Sequence, residues 1–232
     1  MIPRATIATL AAGVITSATL LMAPSASAGQ LTTAPADRQG PPQKWVTCTY
    51  TPTPDNPAAR PVDAPKSRTQ AAGIAELTIK TNYGPMSFVL QRDSTPCGVA
   101  NIINLAKQNF YDESQCWRLT DTKRLGVLQC GDIYRQEEGG PGYKFDDETH
   151  KSDTYPRGTL AMGNQGPGTN GSEFFVVHSH ANIDPNYTIL GRMSSGFDTL
   201  DKITKAGTVD PDGDGLPTRP VVIYDVTTKT RR

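Results

Sequence analysis

The sequence predicts an all-β domain, a closed antiparallel β-barrel accompanied by two α-helices. Short runs of apolar and β-branched residues recur between turn signals from Ile74 to Thr228, the pattern of many short strands. Only two stretches, Pro96–Gln108 and Phe197–Lys205, carry their apolar residues at helical spacing. Composition agrees with one ordinary core plus chain that adds little to it. Of 232 residues, 36% are apolar and 7% aromatic, and Gly (21) and Pro (19) stay below low-complexity levels. The 23 Lys and Arg balance 23 Asp and Glu, so no basic excess points to nucleic acid or to an anionic membrane surface.

Residues 1–28 read as a secretory signal peptide. Arg4 is followed by the small and apolar run Ala5–Met22, then by Pro24 and a small-x-small site at Ala26-Ser27-Ala28. The run is at the short end for a membrane span and no basic cluster follows it, which favours cleavage after Ala28 over an anchor. Export sets the chemistry of Cys48, Cys97, Cys116 and Cys130. In an oxidising space they form structural disulfides, with three pairings open, and no two have the Cys-x-x-Cys spacing of zinc or thioredoxin sites. Residues 29–73 hold eight of the 19 prolines and almost no apolar content beyond Trp45 and Val46. They read as a mostly extended linker, with Lys44–Tyr50 an island able to dock on the domain.

The folded domain spans 74–229. Leu77 and Ile79, then Met86, Phe88 and Leu90, alternate with polar residues around Asn82-Tyr83-Gly84, which makes a β-hairpin. Thr95-Pro96 offers an N-cap and a proline at the first helical position, ahead of Val99, Ile102, Ile103, Leu105 and Ala106 on one helix face. Cys116–Leu119, Val127–Cys130, Thr159–Met162, Phe174–His178 and Ile189–Met193 read as short strands, with a glycine-rich loop at Gly139–Tyr143. Phe197–Lys205 is the second helix, with Leu200 and Ile203 inward, and Val221–Thr228 is the last strand.

Asn164-Gln165-Gly166-Pro167-Gly168-Thr169-Asn170-Gly171-Ser172-Glu173-Phe174-Phe175 resembles the signature segment of the cyclophilins, which are peptidyl-prolyl cis-trans isomerases. Arg118, Leu128-Gln129-Cys130-Gly131-Asp132, Leu160-Ala161-Met162 and Leu190-Gly191-Arg192 follow in the family's order, over about Ile74–Lys229. The resemblance implies a closed eight-stranded antiparallel barrel capped by two α-helices, with a proline pocket on its outer face. It also implies an enzyme that rotates X-Pro bonds without metal, cofactor or covalent intermediate.

The chemistry accords with that. Rotation about a conjugated amide faces a barrier of roughly 18–20 kcal/mol, while the two X-Pro isomers differ by only about 0.5–1 kcal/mol. A catalyst therefore needs an apolar socket for the ring and donors that bind the twisted state better than either planar one. A guanidinium, always charged and rigidly forked, suits the prolyl nitrogen that has lost conjugation.

By the resemblance, Arg118 is the catalytic arginine, and Gln129 orients it and reaches the substrate backbone. Asn164 presents its backbone to the residue before proline, Phe175 floors the pocket, and Leu128 takes a wall usually held by methionine. Singly, Arg118 would be a surface arginine and Phe175 a core residue; their shared spacing with the signature carries the assignment. The chain also departs from the family pattern. Val127 replaces a pocket phenylalanine, and Gly163 and Gln165 replace alanines beside Asn164. Glu173 stands where glutamine is usual and is expected as a charged carboxylate near Arg118. Asn182 and Tyr187 stand where many members have tryptophan and histidine, with Ile183 beside them. Tyr187 keeps an aromatic wall; Asn182 does not, and with Val127 it implies weak cyclosporin binding.

Three other features have plainer readings. His178 and His180 are expected as surface histidines. Asp210-Pro-Asp212-Gly-Asp214-Gly215 imitates a calcium loop but has Val221 at its twelfth position, so it reads as an acidic hairpin loop. Ser172 lacks the Gly-x-Ser-x-Gly context of a hydrolase nucleophile. The expected function is a peptidyl-prolyl cis-trans isomerase, secreted or otherwise extracytoplasmic, that assists folding of exported proteins. Its partners are Pro-containing polypeptides, with no nucleic acid and, in the mature form, no membrane. The alternative is a non-catalytic or weakly catalytic binding module for such segments. Arg118 with Gln129 favours the enzyme, and Val127 with Glu173 the binder.

Overall fold

The structure is a computed structural model and describes residues 44–230. The expected signal peptide and the first part of the expected linker lie outside the described residues. In chain order the elements are β1 (Trp45–Thr47), β2 (Thr51–Pro52), β3 (Arg68–Gln70), β4 (Ile74–Thr81), β5 (Gly84–Gln91), α1 (Pro96–Lys107), β6 (Ser114–Cys116), β7 (Arg118–Thr120), β8 (Leu125–Cys130), β9 (Tyr143–Lys144), β10 (Thr159–Met162), β11 (Phe174–Ala181), β12 (Ile189–Ser195), α2 (Phe197–Ala206), β13 (Asp214–Gly215) and β14 (Val221–Thr230).

The main sheet is antiparallel, with ten strands in the order β13-β7-β8-β11-β10-β12-β5-β4-β14-β6. β6 and β7 stand at or near opposite ends of that order yet are joined through the single residue Trp117, so the sheet must curl until its ends meet. With β6 and β7 taken as one bent strand and the two-residue β13 set aside, the ten reduce to the expected eight. Closure is made by that bend rather than by an unbroken ladder. The Cys116–Cys130 disulfide reinforces it by tying β6 to β8.

Strand alternation sorts side chains to two sides. Phe88, Leu128, Leu160, Phe174 and Val176 fill the interior with α1 residues such as Ile102 and Leu105. Val127, Ala161, Phe175 and Val177 form a smaller cluster on the outer face. Thr95 does not cap α1 with its side chain; its hydroxyl donates to the Ile189 carbonyl at 2.7 Å. The Glu148 carboxylate serves instead, accepting the Cys97 and Gly98 N–H groups at 3.0 and 2.8 Å.

The stretch expected to be linker is fixed to the barrel from residue 44 onward. β1 pairs with β3, β2 pairs with β9, and the Thr53 and Ala59 N–H groups donate to Gly142 and Gly140 carbonyls at 2.9 Å. Cys48 is disulfide-bonded to Cys97 in the first turn of α1. Tyr50 lies edge-on to Tyr143 and Phe145 and donates to the Cys97 carbonyl at 2.9 Å. Composition marked only Lys44–Tyr50 as able to dock; the rest of the strap carried no such signal, because backbone hydrogen bonds hold it with little apolar burial. Replacing Cys48 and Cys97 by Ser releases a link spanning 49 residues, which should cost about 2–4 kcal/mol in urea unfolding. Limited proteolysis should then cut between Tyr50 and Ser67 while the barrel persists. An unchanged digestion pattern would show that the hydrogen bonds hold the strap unaided.

Candidate active site

The candidate site begins where β7 lies between β8 and β13. Arg118 faces Gln129 across the β7–β8 ladder, and its Nη1 donates to Gln129 Oε1 at 3.1 Å. From the other side, Arg118 Nε and Nη2 donate to the two Asp214 carboxylate oxygens at 2.7 and 2.8 Å. Each partner stabilises the other's charge. The hydrogen bond from Arg118 lowers the pKa of Asp214 despite partial burial, and the same bond raises that of Arg118.

Beside this clamp is a cavity of about 210 Å³ lined by Arg118, Gln129, Val127, Phe175, Ile183 and Tyr187, among others. The strands deliver these residues by alternation: Val127 and Gln129 on β8 sit opposite Val177 and Phe175 on β11. Leu128 is corrected by the same rule. It is fully buried in the barrel interior, and Val127 makes the wall. Phe175 packs edge-on against Tyr187 at 5.6 Å between ring centroids, and Tyr155 lies 6.2 Å from both. Tyr155 also exchanges hydrogen bonds with the Tyr187 backbone through its hydroxyl, at 3.0 Å each way. No sequence signal marked Tyr155, or Leu125, which also lines the cavity.

Asn164 lines the cavity while its side chain is committed elsewhere. Nδ2 donates to Asp147 Oδ1 and to the Asn186 carbonyl, each at 3.1 Å. Asp147 also accepts from Asn170 Nδ2 and the Gly168 N–H at 2.8 Å, which pins the loop 164–170. Gln165 is exposed and lines a neighbouring polar groove with Thr53 and Asn56 of the strap. Asn182 is exposed on another groove and does not line the cavity; Ile183, one residue on, does. His178 is buried rather than superficial, with Nε2 bonded to the Thr120 carbonyl at 2.7 Å, and His180 Nε2 reaches the Thr122 carbonyl at 2.9 Å.

Residues 76–228 match the family described as cyclophilin type peptidyl-prolyl cis-trans isomerase/CLD. The chain belongs to the cyclophilin family. It is 39% identical over 194 residues to a probable peptidyl-prolyl cis-trans isomerase B of Mycobacterium tuberculosis, covering 77% of this chain and 63% of that relative. It is 35% identical over 170 residues to a probable peptidyl-prolyl cis-trans isomerase A of Mycobacterium leprae, covering 66% of this chain and 91% of the other. A crystal structure of a Cryptosporidium parvum cyclophilin type peptidyl-prolyl cis-trans isomerase superposes with a TM-score of 0.59 at 26% identity, over 69% of this chain and 100% of that one. A structure obtained in the presence of the dipeptide Ala-Pro gives 0.58 at 27% identity, over 67% and 99%.

Glu173 of this cyclophilin is not the charged partner of Arg118 that its residue type suggests. Its carboxyl is buried and hydrogen-bonded to that of Asp132, and the pair cannot both ionise at low cost. Burial and then Asp132 push Glu173 up to about 9, and burial pushes Asp132 up to about 6. At neutral pH Glu173 is therefore a carboxylic acid, which offers a donor as well as an acceptor, as the amide of a glutamine does. Gly163 makes the placement possible, since a Cβ there would come within 2.0 Å of Glu173 Oε1. Because the folded pKa lies above the ordinary 4.5, the stability tied to this proton is complete below that value and is lost as pH rises toward about 9. Glu173→Gln removes the proton but keeps a donor to Asp132. Its Tm should pull ahead of the parent's progressively between about pH 5 and pH 9, and a gap constant with pH would show that Glu173 is ionised throughout.

Proposed function

We propose that this chain is a peptidyl-prolyl cis-trans isomerase acting on Pro-containing segments of exported polypeptides. The observation that carries this is a guanidinium held by Gln129 at a cavity that Arg118 lines together with the rings of Phe175 and Tyr187. The relatives' names support it. The proline ring enters the cavity between Val127, Phe175, Ile183 and Tyr187. Asn164, its side chain tied away, offers backbone groups to the residue before proline. As the X-Pro bond twists, the nitrogen regains a lone pair and accepts a hydrogen bond from Arg118, which favours the twisted state over either planar one. Gln129 holds the guanidinium and is within reach of the substrate backbone. A charge-assisted hydrogen bond contributes about 1.5–3 kcal/mol, and tenfold in rate is about 1.4 kcal/mol, so this bond supplies one to two decades. The socket and backbone contacts supply the rest. No step needs a metal, cofactor or covalent intermediate.

Two disulfides and the leader-like N-terminal sequence support an oxidising, extracytoplasmic site of action. There, X-Pro isomerisation is a common slow step in folding. One observation favours a binding module instead: Asp214 occupies two donors of Arg118.

A protease-coupled assay on a short X-Pro peptide separates the two readings. Arg118→Ala should lower turnover by about tenfold or more with unchanged thermal stability, and Arg118→Lys should recover only part, lacking the fork. Peptide binding without turnover in the parent would establish the binder. Cyclosporin should inhibit poorly, because exposed Asn182 lacks the area of an indole. Losing most of an aromatic contact costs about 2–4 kcal/mol. Asn182→Trp should tighten inhibition by about tenfold or more, and tight inhibition of the parent would sink this reading of the Asn182 position.

A further inference from the structure

We infer that Asp214 is a positioning residue for Arg118, and that the acidic loop from Thr208 to Thr218 thereby forms part of the isomerase apparatus. The inference rests on the assignment of Arg118 made above. It begins with the inventory of donors. A guanidinium has five N–H groups in one plane. Asp214 takes one on Nε and one on Nη2, and Gln129 takes one on Nη1. One N–H remains on each terminal nitrogen, and Arg118 lines the cavity. The clamp therefore fixes the guanidinium plane and leaves donors for substrate at the end of the fork.

The support is rigid on both sides. Gln129 is on β8. Asp214 is on β13, whose Asp214 and Gly215 pair with Thr120 and Leu119 of the strand that carries Arg118. The loop behind it is cross-braced: the Asp121 N–H donates to the Gly213 carbonyl at 2.7 Å, Val209 to Leu216 at 2.8 Å, and Thr218 to Gly207 at 2.9 Å. Gly213 has φ +77°, and a Cβ there would lie 2.8 Å from the Asp121 carbonyl oxygen, so this path requires glycine. The aspartates that imitate a calcium loop are thus spent differently, Asp214 on Arg118.

A carboxylate could instead quench the arginine, as the binding reading supposes. Exposure argues against this. The Arg118 side chain is 25% exposed and that of Asp214 42%. Water screens much of the charge cancellation in such a pair, whereas the two-point geometry survives screening. Orientation is retained while the field is only partly reduced.

The test uses the full oxidised protein and steady-state kcat and KM on an X-Pro peptide. Asp214→Ala should lower kcat by roughly threefold to tenfold with KM within about twofold. Asp214→Asn keeps the shape with one acceptor oxygen and guards against misfolding; it should fall between alanine and the parent. Asp214→Glu should recover most of the loss. In an Arg118→Ala background, Asp214→Ala should change nothing further, because its effect runs through the guanidinium. Equal losses in both backgrounds would assign Asp214 a purely structural part and overturn the inference. So would unchanged or raised turnover in Asp214→Ala and Asp214→Asn while Arg118→Ala is impaired. If Arg118→Ala itself turns over normally, the assignment of Arg118 fails first, and the inference with it.

Discussion

A cation at the end of a long side chain favours one substrate geometry over another only if its plane is held still. In this chain the plane is set by three neighbouring strands, β13, β7 and β8, with Arg118 on the middle one and a hydrogen-bonding partner on each flank. That arrangement makes demands on the rest of the fold. β7 must leave β6 at Trp117 to reach its place between β8 and β13, and the bend is what closes the barrel. The Trp117 indole donates to the Asp132 carbonyl at 3.0 Å, and the Cys116–Cys130 disulfide crosses the same seam. Closure of the barrel and placement of the guanidinium are one piece of construction.

Much of this was legible in the sequence, and what was not has physical reasons. The β4–β5 hairpin, α1, α2 and the strands through Thr159–Met162 and Ile189–Met193 carry strong periodic signals. Two-residue strands such as β2, β9 and β13 carry none, since backbone pairing specifies them without a side-chain pattern. The placement of Leu128 in the pocket was a one-residue slip along β8, and in a strand one residue exchanges the core face for the outer face. Asp214 stood in view within an acidic loop, but only the register of β13 against β7 brings it to Arg118. Tyr155 precedes the signature segment and belongs to no motif; its value lies wholly in tertiary contact with Phe175 and Tyr187.

Two departures from the family pattern turn out to be one. Glu173 for glutamine and Gly163 for alanine look independent in sequence. In the structure the glycine's missing Cβ is the space that the Glu173 carboxyl fills, and that carboxyl is hydrogen-bonded to the one of Asp132. Burial converts a residue that reads as charged into one that hydrogen-bonds as a neutral group. Residue type alone is thus a poor guide to charge where a second carboxyl and a low dielectric are close by.

The seam has a further consequence for the order of events during synthesis. β14, Val221–Thr230, pairs along β4 on one side and β6 on the other, joining residues as distant as Ala75 and Thr230. Until those last residues emerge from the ribosome, β4 has an unpaired edge and β6 no partner, so the growing chain has no closed body to collapse into. Such high contact order slows folding. Slow closure leaves those strand edges exposed for as long as synthesis lasts, and it is the arrival of one strand that covers both at once.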